Sequence, residues 1–102
     1  MQKIGYKAYR GKMVNHKAII HNELGIHVRP SGLIITETQN YTGKILLKSK
    51  EIEIELNSIM DLLALGLMKN DTLEISVSGP DEEQFCLKLV KLFETSFDFP
   101  PK

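Results

Sequence analysis

In the stretch ELGIHVRPSG, Glu23 to Gly32, His27, Arg29 and Pro30 could do chemistry together. An imidazole is a competent nucleophile at neutral pH. Pro30 suits the first turn of a helix, where a missing N–H costs little. His27 therefore sits immediately before a helix start, where unpaired backbone N–H groups and a partial positive charge favour an anion. The helix end and the Arg29 charge both disfavour a protonated imidazole, which keeps a ring nitrogen available. Arg29 offers a fork of donors for phosphate oxygens, and Pro30 is expected to hold it in extended backbone and so limit where the fork points. The chemistry that fits is phosphoryl transfer to and from His27. A histidine beside a helix start also serves as a cap or as a solvated surface residue. For the other two, His16 and His21, structural or solvated roles are expected.

The elements that must position these residues follow from hydrophobic periodicity. The run VNHKAII puts Val14, His16, Ala18 and Ile20 on one side of a half-buried strand, and HNELG then reads as a turn. After Pro30, apolar character at Ile34, Ile35, Thr38 and Tyr41 predicts a helix, tempered by the β-branched residues in LIIT. Gly43 breaks the chain before KILLKS, and EIEIEL alternates strictly, so the two runs read as an antiparallel pair turning near Ser49 and Lys50. NSIMDLLALG predicts a short helix with a capping box at Ser58 and Asp61 and Gly66 as its stop. TLEISVS alternates through Leu73, Ile75 and Val77 as a further strand. Pro80, Asp81, Glu82 and Glu83 open a last helix carrying Phe85, Cys86, Leu89, Val90 and Phe93. The order β-α-β-β-α-β-α predicts an α+β fold, a four-stranded antiparallel sheet with three helices on one face, an open-faced sandwich.

A chain of 102 residues supports one domain with a modest core. No apolar run is near the roughly 20 residues of a bilayer span, so membrane insertion is not expected. The single cysteine, Cys86, and the absence of an apolar N-terminal stretch lead to the expectation of a reducing, cytoplasmic setting. Net charge is zero but unevenly spread: Lys3, Lys7, Arg10 and Lys12 give residues 1–12 a charge of +4, leaving −4 on the rest. An acidic body without Trp and without a basic stripe among aromatics argues against a nucleic-acid partner. Residues 1–12 read as a basic, disordered extension to a domain of residues 13–102, and as dispensable to it.

GIHVRPSG, followed by NSIMDLLALGL and GPDEEQFCLKLVKLF, closely resembles HPr, the histidine-containing phosphocarrier family of the bacterial sugar phosphotransferase system. The resemblance runs from about Met13 to Phe97 and includes the order of elements. It implies a monomeric carrier that has no turnover of its own and needs no cofactor or metal. His27 would take a phosphoryl group from enzyme I and pass it to sugar-specific IIA domains, with Arg29 steadying the phosphate. Two alanines are usual in the family where this chain has Ser31 and Gly32. In the Gram-positive type the serine matching Ser58 is phosphorylated by an ATP-dependent kinase, so the resemblance makes Ser58 a candidate regulatory phosphosite and an HPr serine kinase/phosphorylase a candidate partner. The same serine fits an ordinary N-cap, and the Gram-positive type usually has glycine where this chain has Asp61.

The short helix carries more apolar residues than a one-sided stripe needs. Leu62 and Leu65 are expected in the core, which leaves Ile59, Met60 and Leu63 as an exposed docking patch beside the active histidine, the surface that HPr-like proteins present to both donor and acceptor. Two other readings remain open. One is a regulatory paralogue that receives phosphate from a nitrogen-type enzyme I; the other is a small ligand-sensing or protein-interaction module with a fortuitous histidine.

Overall fold

The computed structural model describes residues 13–26 and 28–95; His27, residues 1–12 and residues 96–102 lie outside them. The elements are β1 (Val14–Ile19), α1 (Val28–Thr38), β2 (Lys44–Ser49), β3 (Ile52–Glu55), α2 (Ile59–Ala64), β4 (Thr72–Ser78) and α3 (Glu82–Glu94). All strand pairs are antiparallel and the sheet order is β1-β4-β2-β3, so between β1 and β2 the chain skips the position that β4 later fills. The four strands and three helices form the open-faced sandwich that the alternation and helix signals predict.

Period-two alternation places the core. On β4, Leu73, Ile75 and Val77 are fully buried while Glu74, Ser76 and Ser78 face outward, and on β1 Ala18 is buried between exposed Lys17 and Ile19. Each of the three β4 side chains contributes about 1.5–3 kcal/mol relative to exposure. α3 covers β1 and β4 through buried Cys86, Leu89 and Phe93, and α1 packs on α2, with Ile34 and Leu62 fully buried in the shared core. Gly66, at φ +59 just beyond α2, takes the left-handed conformation that ends a helix and bonds back to Leu63 through its N–H.

Four local expectations shift. β1 ends at Ile19, one residue early, because Ile20 turns its backbone to the loop before β4: its N–H donates to Asp71 O at 3.0 Å and its O accepts from Asn70 N–H at 2.7 Å. The β2–β3 turn consists of Lys50 and Glu51, so β3 begins at Ile52 and not at Glu51. Both turn residues have positive φ, 51° and 68°, the handedness that a two-residue hairpin requires. Neither has the Gly or Asn character that would announce it. Lys50 is held there from outside: its Nζ lies 2.9 Å from Asp71 Oδ2 and donates to Gly66 O at 3.0 Å. Tyr41 falls beyond the end of α1 and instead stacks on Phe85, with ring centres 3.9 Å apart. Finally, α3 starts at Glu82, with Asp81 as a left-handed N-cap whose side chain makes no cap bond; Glu82 accepts instead from Gly79 N–H at 2.9 Å.

Candidate functional site

The loop before α1 is stitched to the loop between α2 and β4. Gly25 N–H donates to Asn22 O at 3.0 Å, closing the HNELG turn, and Ile26 N–H donates to Leu67 O at 3.0 Å. Lys69 Nζ reaches Glu23 Oε2 at 2.6 Å across the same junction. Gly25 is buried at φ +72, and a Cβ built on it would lie 2.2 Å from Leu67 O and 3.0 Å from Met68 Cα. Only glycine lets the two backbones come this close. The site is thus approached through a segment fixed by backbone contacts, with Asn22 fully buried beneath it.

The Asp71 carboxylate braces the other side of the junction. Its Oδ2 accepts from Met68 N–H at 2.8 Å and pairs with Lys50. The Met68 N–H, and after it Lys50, hold the Asp71 carboxyl below the usual carboxylate range.

At the start of α1, the N–H groups of the first turn have no acceptor within the helix, and no acidic side chain lies in that turn to compete with an incoming anion. Arg29 is exposed there. Its backbone is helical, which corrects the expectation of an extended conformation ahead of Pro30: packing outweighs the bias, since Pro30, Ser31 and Ile34 are all buried along the inner side of α1. His27, the expected phosphoryl acceptor, lies outside the described residues. Ser31 is fully buried, and its hydroxyl has no hydrogen-bond partner among the described residues. An unpaired buried hydroxyl typically costs about 1–3 kcal/mol.

α2 stands next to α1 and presents the other expected site residues. Ser58 is exposed and caps the helix: its Oγ accepts from Asp61 N–H at 3.4 Å, while Asp61 Oδ2 accepts from the N–H of Ser58 and of Asn57, each at 2.9 Å. Leu62 and Leu65 are in the core. Met60 is 69% exposed, whereas Ile59 and Leu63 are half-buried. Two further apolar side chains stand in solvent at the Gly25–Leu67 junction, Leu24 at 68% and Met68 at 55%. Periodicity missed them because they fall in turns; their signal was an apolar residue inside an otherwise polar loop.

The remaining titratable candidates are occupied elsewhere. His16 Nε2 lies 3.0 Å from Glu83 Oε2, tying β1 to the first turn of α3, and His21 is exposed in the turn. Burial, reinforced by Glu83, pushes the Cys86 thiol up to about 11, so it is protonated at neutral pH and is no nucleophile. Among the described residues no helix is long and apolar enough to cross a membrane.

The family model described as "PTS HPr component phosphorylation site" matches residues 14–95. The Phosphocarrier protein NPr of Escherichia coli K12 is 35% identical over 80 residues, covering 78% of this chain and 89% of that protein. The Phosphocarrier protein HPr of Treponema pallidum is 31% identical over 86 residues, 84% of this chain and 98% of that protein. The crystal structure of a phosphocarrier protein HPr from Bacillus anthracis superposes with a TM-score of 0.75 at 21% identity, covering 80% of this chain and 98% of its own, a likeness of fold. With the motif, the sheet order and the bare helix start in one chain, the protein belongs to the HPr family of phosphocarriers of the phosphotransferase system.

Proposed function

We propose that the chain accepts a phosphoryl group on His27 from phosphorylated enzyme I in the cytoplasm and donates it to IIA domains. The reading is carried by the match of the phosphorylation-site family model across residues 14–95, which spans GIHVRP. The uncompensated start of α1 and the exposed Arg29 support it, since a helix end and a guanidinium both stabilise a phosphoryl dianion. His27 supplies the nucleophilic nitrogen, and Arg29 stabilises charge on the transferring group without taking part in bonding. Incubation with phosphoenolpyruvate and enzyme I should place acid-labile label on His27. His27→Ala should take none, and Arg29→Ala should be labelled more slowly; label on His27→Ala would overturn the assignment.

Partner docking is assigned to α2 and the adjoining loops. Exposed Met60, with Ile59 and Leu63 half-buried behind it, supports an apolar contact. Met60→Glu should weaken donor and acceptor alike, because it places an unpaired charge in the contact, with little change in melting. Residues 1–12 are proposed to be dispensable for folding and labelling, which their deletion would test.

Ser58 carries two roles in one geometry. The complete capping box supports the structural one: a phosphate on Ser58 would face the Asp61 carboxylate that already accepts two backbone N–H groups. ATP and an HPr serine kinase test the regulatory role directly, by acid-stable label that disappears in Ser58→Ala.

The 35% identity to a relative named NPr, beside 31% to one named HPr, favours a second reading, a regulatory paralogue served by a nitrogen-type enzyme I. Offering both types of enzyme I in parallel separates the two by which one labels the protein faster.

A further inference from the structure

We infer that the cavity between the end of α1 and the first turns of α3 binds a small organic cation, an amine carried on a ring or a short apolar stem. The inference does not depend on the proposed phosphoryl transfer, and the cavity lies at the opposite end of α1 from Arg29.

Asn40 and Tyr41, just beyond α1, and Asp81, Gln84, Phe85 and Lys88, at the start of α3, line a cavity of about 350 Å³. That falls within the size of small-molecule sites, about 300–1,000 Å³. Its aromatic wall is fixed in advance. The Tyr41 and Phe85 rings stack with centres 3.9 Å apart and planes within 3°, and the Tyr41 hydroxyl donates to Pro80 O at 2.8 Å. Two glycines seat the tyrosine: a Cβ on Gly43 would lie 2.6 Å from Tyr41 Cε2, and one on Gly79 would lie 2.8 Å from the hydroxyl oxygen. Both rings are half-buried, so part of the apolar ring surface stays open to a ligand.

Asp81 sets the sign of the ligand. Its backbone is left-handed at φ 47°, a conformation unfavourable to a residue with a Cβ, and it forgoes the side-chain cap bond that an aspartate at a helix start normally makes. Strain of this kind collects at binding sites, where another interaction offsets it. The carboxylate is left at the cavity with no hydrogen bond or ion pair to a described residue. Lys88, the cation in the lining, is already committed, its Nζ 2.8 Å from Glu37 Oε1. After burial, the negative charges of Glu82 and Asp81 raise the Tyr41 hydroxyl above its usual pKa, so the field at the ring is negative. Asn40 and Gln84 add amide oxygens that can accept from an ammonium. A carboxylate beside open aromatic surface recognises an ammonium through its charge and through the ring quadrupole. An anion would meet Asp81 with Lys88 already neutralised.

The test titrates the isotope-labelled full chain with benzylamine, benzyl alcohol and benzoate, which share one ring and differ in charge, and follows the backbone amide signals by NMR. Benzylamine should shift Asn40, Tyr41, Asp81, Gln84 and Phe85 saturably, with a Kd on the order of 1 mM, as suits a ligand of so few atoms. The alcohol and benzoate should bind at least about fivefold more weakly, since each lacks the charge that Asp81 attracts. Asp81→Asn removes that charge while keeping a residue that tolerates left-handed backbone. It should weaken benzylamine by about five- to tenfold and leave the alcohol unchanged. Phe85→Leu keeps an apolar side chain without the ring and should also weaken benzylamine. No saturable shift up to about 20 mM benzylamine overturns the site, as does saturation confined to other residues. Benzyl alcohol binding as tightly as benzylamine, or Asp81→Asn binding benzylamine as the parent does, overturns the assignment of a cation.

Discussion

Gly25→Ala should be far more costly than Gly66→Ala, which supplies the measure. Both glycines have positive φ, 72° and 59°, so both substitutions incur the left-handed penalty of an L residue, about 1–2 kcal/mol. At Gly66 that is the whole effect, since nothing lies within 4 Å of the added Cβ. At Gly25 the new Cβ lands 2.2 Å from Leu67 O, with Met68 Cα at 3.0 Å and Leu67 C at 3.1 Å. All three are backbone atoms and no rotamer change clears them, so relief requires the two loops to separate by about an ångström.

Separation breaks the bond from Ile26 N–H to Leu67 O in a buried setting, where unpaired groups cost about 1–3 kcal/mol. The sum for Gly25→Ala is about 2–5 kcal/mol, a large share of a typical domain's 5–15 kcal/mol. For a chain of this size it lowers the melting point by roughly 10–30 °C. Urea denaturation of both variants beside the parent measures this, read only where the m-value is unchanged. Gly25→Ala costing no more than Gly66→Ala would refute the close approach as the reason for glycine. Amide exchange at Ile26 gives a second check, because loop separation must raise it well above the parent's rate.

Other outcomes follow from single contacts. Asp71 has a lowered carboxyl pKa, so its contribution is present above the usual value of about 3.9 and is lost as pH falls through the lower folded value; Asp71→Asn should therefore flatten the acid limb of the stability curve, and an unchanged slope below pH 4 would rule this out. Gly32→Ala should stabilise by about 0.5–1 kcal/mol in thermal melts, since the helix gains an alanine and the methyl meets nothing. Ser58→Ala and Asp61→Ala should each cost about 1 kcal/mol, and the double variant less than their sum, because the two side chains form one reciprocal cap. Strict additivity in urea would show that the box is not cooperative.

Where the sequence was readable, one local signal and one tertiary demand agreed. β4 was legible to the residue because strict alternation in TLEISVS coincides with a central strand whose one face is fully buried. α2 was legible because its cap is made by its own side chains, Ser58 and Asp61. The β2–β3 turn was not, since Lys50 takes its left-handed backbone while bonded to Asp71 and Gly66, residues distant in sequence that a local reading cannot weigh. The helical Arg29 is a similar case, with burial of Pro30 and Ser31 overriding the steric bias before proline.

At the site the same division explains which residues a sequence can reveal. Groups that act on a ligand must be of particular chemical types, so an imidazole, a guanidinium and a proline within four positions stand out unaided. Groups that hold those residues in place need only the right shape or polarity against a remote partner. Gly25 looks like any turn glycine until Leu67 O is found 2.2 Å from where a Cβ would lie. Ser31 looks like a mild substitute for alanine until its hydroxyl proves buried with no hydrogen-bond partner among the described residues. A support of this kind becomes visible only when the second backbone is in view, and for that reason Gly25, and not the proposed reacting residues, is where substitution separates the geometry of this site from its chemistry.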